Sequence, residues 1–269
     1  MAKLRIGVLI SGGGSNLQAI IDACEAERID GEVVFVGSDR PGVLGLERAE
    51  KHHIPTFVVD YSERLLHLKD RIFTFLPEGH DWGDILGKAK VDPLHVEEVM
   101  KLVRRTIVES EMLKRMNELK YDLLVLAGFM RLLTPYFIDK INIDPERPRI
   151  MNIHPALLPA HPGTDGYGDT WRQGDWVVGG CTVHFVDYCE DTGPIIAQRA
   201  VPVRGSSLED FKRRGLEAEH ELYPWCIQRF AQGRLKVVER NMPGKAPKKV
   251  VKLLPWPKPD KEDNGDYGV

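Results

Sequence analysis

The first sixteen residues constrain the fold more than any other stretch. Leu4-Arg5-Ile6-Gly7-Val8-Leu9-Ile10 is a nearly unbroken apolar run, and it stops at Ser11-Gly12-Gly13-Gly14-Ser15-Asn16. A strand with apolar side chains on both of its faces must be covered on both faces, a condition met chiefly in parallel sheets flanked by helices. The glycines form a tight turn, and residues 17–26 then repeat apolar groups at helical spacing through Leu17, Ile20, Ile21 and Cys24. The chain therefore opens as strand, turn and helix.

The same alternation continues. Apolar runs predict strands at 32–36, 56–59, 123–126, 150–154, 181–186 and 195–201. Amphipathic spacing predicts helices at 43–53, 104–119 and 208–230, the last interrupted or bent near Pro224. This pattern predicts an α/β fold, Rossmann-like, with a mostly parallel twisted sheet and helices on both faces. Two regions depart from it. Residues 62–103 hold Pro77, Gly79, Gly83 and Pro93 among short apolar pieces, too long for an ordinary connection, and are expected to be an insertion of loops and short helix. From Asn241 the chain carries five prolines and ends in charged residues, so an extended arm is expected there. The expected organisation is one domain over 1–240, with the insertion at about 62–103, and a Pro-rich tail over 241–269.

Composition narrows the function classes. With 269 residues, 42% hydrophobic and 29% charged, the chain has the make-up of a soluble globular protein. A net charge of −3 gives no reason to expect a nucleic-acid partner. Nothing approaches the roughly 20 apolar residues that span a bilayer, so no membrane role is expected. The cysteines Cys24, Cys181, Cys189 and Cys226 lie far apart with no C-x-x-C pair, which favours reduced thiols and a cytoplasmic location.

The glycine turn is a candidate anion cradle. Backbone N–H groups and the partial positive charge of a helix start can hold a phosphate there, with Ser15 or Asn16 capping the helix and reaching a ribose hydroxyl. No Gly-Lys-Ser/Thr follows, so it is not a P-loop. Leu17 stands where a dinucleotide fingerprint needs its third glycine. A sugar phosphate fits best; a tight turn without ligand is the alternative.

The strand 150–154 carries the chemistry. Asn152 and His154 alternate with Ile153 and so share a face, and Pro155 ends the strand just beyond them. Both polar groups then sit at a strand's C-terminal end, where open α/β sheets place their ligands. A second polar turn, Glu190-Asp191-Thr192-Gly193-Pro194, follows a strand containing His184. If Asp191 folds back toward His154, its charge favours the imidazolium and raises the histidine pKa. Amide, imidazole and carboxylate together could stabilise a tetrahedral oxyanion in acyl transfer. A metal site built from His154, His161, Asp165, His184 and Asp191 is the competing reading, but none of them shows recognised ligand spacing, and no metal is expected.

These motifs resemble a known family. Ile10-Ser11-Gly12-Gly13-Gly14-Ser15-Asn16-Leu17 and Leu126-Ala127-Gly128-Phe129-Met130-Arg131-Leu132-Leu133 are similar to segments of the folate-dependent formyltransferases. So are Asn152-Ile153-His154-Pro155 and Thr182-Val183-His184-Phe185-Val186 with Asp191-Thr192-Gly193-Pro194, and the glycine loop points to the phosphoribosylglycinamide branch. The resemblance implies Asn152, His154 and Asp191 as the catalytic trio. It implies Gly14, Ser15, Asn16 and Glu219 as contacts to phosphoribosylglycinamide. The folate of 10-formyltetrahydrofolate, the formyl donor, would meet Arg105, Met130, Arg131, Leu132, Leu133, Asn152, Asp187, Tyr188, Cys189 and Glu190. The implied reaction is formyl transfer to a primary amine in purine biosynthesis by a monomer or weak homodimer whose partners are small molecules. A different acceptor amine, hydrolysis of the donor by water, and a non-catalytic nucleotide-binding module are the alternatives. The insertion and the segment 161–170 depart from the family's pattern, which places the acceptor's identity in question more than the donor's.

Overall fold

The computed structural model describes residues 2–62, 77, 80–174, 177–242 and 244–255. Among them seven strands form one sheet in the order β3-β2-β1-β4-β5-β6-β7. These are β1 (Leu4–Ile10), β2 (Gly31–Ser38), β3 (Thr56–Val58), β4 (Leu123–Leu126), β5 (Ile150–His154), β6 (Val178–Phe185) and β7 (Ile195–Pro202). The pairs from β3 through β5 are parallel. The pairs β5–β6 and β6–β7 are antiparallel. The expected Rossmann-like, mostly parallel sheet is what the chain forms.

Helices cover both faces: α1 (Ser15–Glu25), α2 (Leu44–Lys51), α3 (Trp82–Ala89), α4 (Val96–Asn117), α5 (Pro135–Ile141), α6 (Gly166–Arg172) and α7 (Leu208–Ala231). Side-chain alternation divides the core accordingly. Ile6, Val8 and Ile10 of β1 join Val125 of β4 and Met151 of β5 in one apolar layer with α1 and α7. Leu9, Leu124 and Ile150 point the other way, into a layer with Met112 of α4 and Phe137 of α5. Asn152 and His154 continue the second parity beyond Ile150, so they emerge where that layer runs out at the sheet's C-terminal edge. The chain reverses its direction of sheet building between β1 and β4, which opens a crevice at the same edge.

Three features differ from the sequence expectations, and the insertion is described only in part. The helix expected from residue 104 begins at Val96, because Val99, Met100, Leu102 and Val103 extend its apolar stripe through charged neighbours. Of the insertion, residues 63–76, 78 and 79 lie outside the described residues; the remainder contributes α3 and the start of α4. The helix α7 runs unbroken through Pro224. Of the arm expected from Asn241, the part as far as Leu253 belongs to a hairpin, in which β8 (Leu235–Met242) pairs antiparallel with β9 (Lys245–Leu253), and residues 256–269 lie outside the described residues. Lysines hid this strand, since one of its faces is open to solvent while Leu235 and Val237 of β8 are buried in the core.

Candidate active site

A cavity of about 260 Å³ opens at the C-terminal ends of β4 and β5. The glycine turn forms one side. Gly14 lies in the left-handed region at φ 69°. A Cβ there would come within 2.7 Å of the Cα of Gly45, so α2 can approach the loop only because residue 14 is glycine. Gly14 itself is the N-cap residue of α1, and neither Ser15 nor Asn16 caps the helix with its side chain. Asn16 instead reaches the neighbouring helix on the same face of the sheet, its Nδ2 donating to Glu219 Oε2 of α7 at 2.7 Å. Tyr167 of α6 donates to the other oxygen, Oε1, at 2.8 Å. Burial pushes the Glu219 carboxyl above its ordinary range, against the pull of these two donors. Asn16 Oδ1 is buried with no protein donor facing it, and Asn16 and Glu219 both line the cavity. A carbonyl oxygen so placed fits a ligand hydroxyl or N–H.

The opposite side is built from two loops. Residues 128–133 follow β4, with the Met130 N–H donating to Ser11 Oγ at 2.8 Å. Arg131 Nε donates to the fully buried Asp39 at 2.6 Å, and its guanidinium lies 5.0 Å from the ring centre of Tyr61. Arg105, on α4, donates to the Leu132 carbonyl. It therefore braces the loop from behind and does not line the cavity, whereas Met130, Arg131, Leu132 and Leu133 do. The second loop supplies Asp187, Cys189, Glu190 and Asp191 to the lining. Tyr188 turns away, its hydroxyl donating to Asp139 Oδ1 of α5 at 2.6 Å. Gly14 and Ser15 also stand outside the lining, although Asn16 is within it.

Between the two sides lie Asn152, His154 and Asp191. The expected fold-back occurs: Asp191 Oδ2 is 3.2 Å from His154 Nδ1. Asp191 adopts φ 53°, a left-handed conformation uncommon for a side-chain-bearing residue, and its Oδ2 also accepts from the Gly163 N–H at 3.0 Å. His154 Nε2 faces the His161 carbonyl at 2.7 Å. Both ring nitrogens of His154 thus meet oxygen acceptors, an arrangement fully satisfied only by the doubly protonated ring. Burial opposes it, since His154 is 3% exposed. The balance corrects the expectation of a raised pKa. Desolvation outweighs the Asp191 charge and the His161 carbonyl, and the His154 pKa lies below the ordinary histidine value. For Asp191, burial pushes upward, but the Gly163 N–H and the neighbouring His184 and His154 rings hold its carboxyl below the usual range.

In the sequence His184 stood out as a strand residue and as one member of the competing metal reading. The antiparallel register sets it directly opposite Asn152. Its Nδ1 faces the Phe185 carbonyl at 2.9 Å and must donate there, which leaves Nε2 to accept from Asn152 Nδ2 at 3.2 Å. That bond fixes the Asn152 amide with its nitrogen toward His184 and one N–H still free. His184 Nε2 is also 3.5 Å from Asp191 Oδ1. Gly163 and the His161 carbonyl are further members that no motif revealed; their parts are played by backbone atoms, which leave no signature in side-chain identity. Among the described residues no group of three or more His, Cys, Asp or Glu side chains is placed to hold a metal ion.

Residues 4–227 match the family described as formyl transferase. The chain is 36% identical to the phosphoribosylglycinamide formyltransferase of Escherichia coli (strain K12), over 88% of this chain and 91% of that one. It is also 36% identical to the trifunctional purine biosynthetic protein adenosine-3 of Chironomus tentans, but spans only 14% of that longer protein's length. The crystal structure of glycinamide ribonucleotide transformylase 1 from Symbiobacterium toebii superposes with a TM-score of 0.67 at 36% identity, covering 94% of this chain and 95% of that one. By these matches this chain belongs to the formyl transferase family, in its phosphoribosylglycinamide formyltransferase group.

Proposed function

We propose that the chain moves a formyl group from N10 of 10-formyltetrahydrofolate to the primary amine of phosphoribosylglycinamide, a step in purine biosynthesis. The observation that carries this is the position of the Asn152–His154–Asp191 trio, between a phosphate-type loop on one side and two donor-side loops on the other. Support also comes from the names of the relatives, which include phosphoribosylglycinamide formyltransferase.

The glycine turn receives the sugar phosphate through backbone N–H groups at the start of α1, while Asn16 and Glu219 offer acceptors to the body of the ribonucleotide. The pteridine lies against residues 130–133 and 187–190. The amine nitrogen attacks the formyl carbon, and a negative charge develops on the formyl oxygen. The free N–H of Asn152 donates to it, and His154, its pKa lowered by burial in the free protein, supplies positive charge beside it as it takes up the proton that the attacking amine loses. His154, paired with Asp191, exchanges the proton that the amine loses and that N10 gains when the carbon–N10 bond breaks. The products are the formamide and tetrahydrofolate, so atoms and charge balance without a metal. The four cysteines are free thiols, in keeping with action in the reducing cytoplasm. Small molecules are the expected partners, with the chain acting as a monomer or weak homodimer. No described helix is long and apolar enough to cross a membrane.

The test follows tetrahydrofolate release from 10-formyltetrahydrofolate with and without phosphoribosylglycinamide. Release that requires the ribonucleotide supports the proposal. Equal release with water alone overturns it in favour of a hydrolase, and no release in either case overturns any formyl-transfer role.

A further inference from the structure

In a sheet of this order the crossover from β3 to β4 needs a single covering helix, and α4 supplies it. The shorter helix α3 is additional, and α5 is its principal neighbour. Asp81 caps its first turn, accepting from the Gly83 N–H at 2.8 Å. Ile85 is 3% exposed, and Trp82, Leu86 and Ala89 pack against the same apolar layer that receives Val186 and Tyr188. His80 just before the helix stacks edge-on against Tyr136 of α5, ring centres 4.4 Å apart.

The polar side of α3 leads to the active site. Lys88 Nζ donates to Asp139 Oδ2 of α5 at 2.7 Å and is 2.8 Å from Asp84. The same ammonium lies 5.2 Å from the ring centre of Tyr188. The other oxygen of Asp139 accepts from the Tyr188 hydroxyl at 2.6 Å. Tyr188 therefore has its tip bonded to Asp139 and its face under Lys88. Three residues further on, the loop delivers Asp191 in a left-handed conformation to His154. Within the loop, Asp187 accepts from Thr192 Oγ1 at 2.6 Å and from the Cys189 N–H at 3.3 Å. These bonds tie the turn to itself; Tyr188 ties its start to α5, and Asp191 ties its end to the Gly163 N–H and His154. An isolated surface ion pair contributes little. Here one ammonium joins two carboxylates and an aromatic face beside a buried isoleucine, so several interactions are lost together when it is removed.

We propose that α3 is a strut for the loop 187–191 and that Lys88 is a positioning residue for formyl transfer, acting through Asp139 and Tyr188 to hold Asp191 and the donor side of the cavity. The proposal rests on the function given above, but the strut itself can be tested without it. Hydrogen exchange is measured on the full chain for wild type, Lys88→Met, Lys88→Arg and Tyr188→Phe. In Lys88→Met and Tyr188→Phe the amides of residues 187–192 exchange about fivefold faster while those of β1 and α1 keep the wild-type rate, and Lys88→Arg restores the loop. In parallel, the KM for 10-formyltetrahydrofolate rises about fivefold in Lys88→Met while the KM for the ribonucleotide stays unchanged. Loop exchange at the wild-type rate in Lys88→Met overturns the strut, as does a uniform increase throughout the chain, which would mark simple destabilisation. If the wild type transfers no formyl group at all, the proposed function fails, and the exchange data still decide the strut.

Discussion

His154 sits where two demands conflict. Its hydrogen-bond partners favour the imidazolium and its burial favours the neutral ring, and burial sets the sign. The consequence for stability follows from linkage. Below the unfolded value of about 6.5 the unfolded chain takes up a proton at this ring that the folded chain resists, so stability falls as pH drops from there. Asp191 acts in the same direction in a lower window. Its depressed carboxyl contributes stability that is fully present above about pH 3.9 and lost as pH falls through the folded value. The His154 contribution is therefore expected to fall between pH 7 and pH 5.5, so that the wild-type thermal midpoint drops relative to that of His154→Gln over this range. Parallel wild-type and variant melting curves over this range would show that burial does not govern the ring. Asp191→Asn keeps the shape of the turn and removes the charge that supports protonated His154. Its kcat is expected to fall by a factor of roughly 10²–10⁴, with circular dichroism unchanged. A variant with near-normal kcat would remove Asp191 from the proton path.

At the scale of elements, the donor-side loop depends on a buried polar joint between two helices. Glu109 of α4 is fully buried and accepts from the backbone N–H of Thr134 at 3.1 Å and from its hydroxyl. Thr134 in turn caps α5, accepting from the Phe137 N–H at 3.4 Å. Desolvation pushes the Glu109 carboxyl up to about 7, against the pull of Thr134 and Arg105. Thr134→Ala removes the cap and one donor to a buried carboxylate, so a loss of about 1–3 kcal/mol is expected in urea unfolding, while Thr134→Ser stays close to wild type. Equal midpoints for the alanine and serine variants would refute the joint. The pH response of this site has its own sign. A carboxyl raised from about 4.3 to about 7 makes the folded state the stronger proton binder between those values, so its contribution to stability declines as pH rises through that window. Glu109→Gln is expected to flatten this decline, measured as the unfolding midpoint from pH 5 to pH 8. A decline as steep as in wild type would assign the effect to other groups.

Across the whole molecule, the features legible in the sequence were those written in one stretch of chain. The strand β5 ends at His154 because Pro155 follows, and β1 with its glycine turn could be read from eleven consecutive residues. Pairings between distant stretches could not be read. The Asn16–Glu219 bond joins residues 203 positions apart, and His184 meets Asn152 only through the β5–β6 register. Arg105 and Tyr188 occupy positions that the family resemblance gives to the ligand, yet Arg105 donates to the Leu132 carbonyl and Tyr188 to Asp139, contacts with distant residues that no local pattern records. The hairpin β8–β9 was hidden in the same way, because each strand makes sense only against the other. Leu235 and Val237 are buried beside Val251 of β9. The Val237 N–H donates to the Glu146 carbonyl at 2.8 Å, which ties the start of β8 to the chain before β5, and the Leu254 N–H donates to the Arg234 carbonyl at 2.7 Å, which closes the same end of the hairpin. A lone strand in this position has no ladder partner and uncovers its apolar face. A chain ending at Arg240 is therefore expected to lose about 2–4 kcal/mol, from the exposed Leu235 and Val237 side chains and the lost pairing. Because the cavity lies at the far edge of the sheet and takes no residue from the hairpin, kcat at a temperature well below the new midpoint should match wild type. Lower stability with unchanged turnover would place β8–β9 in the fold and outside the chemistry; a truncated chain as stable as the full one would show that Leu235 and Val237 hold their places without β9.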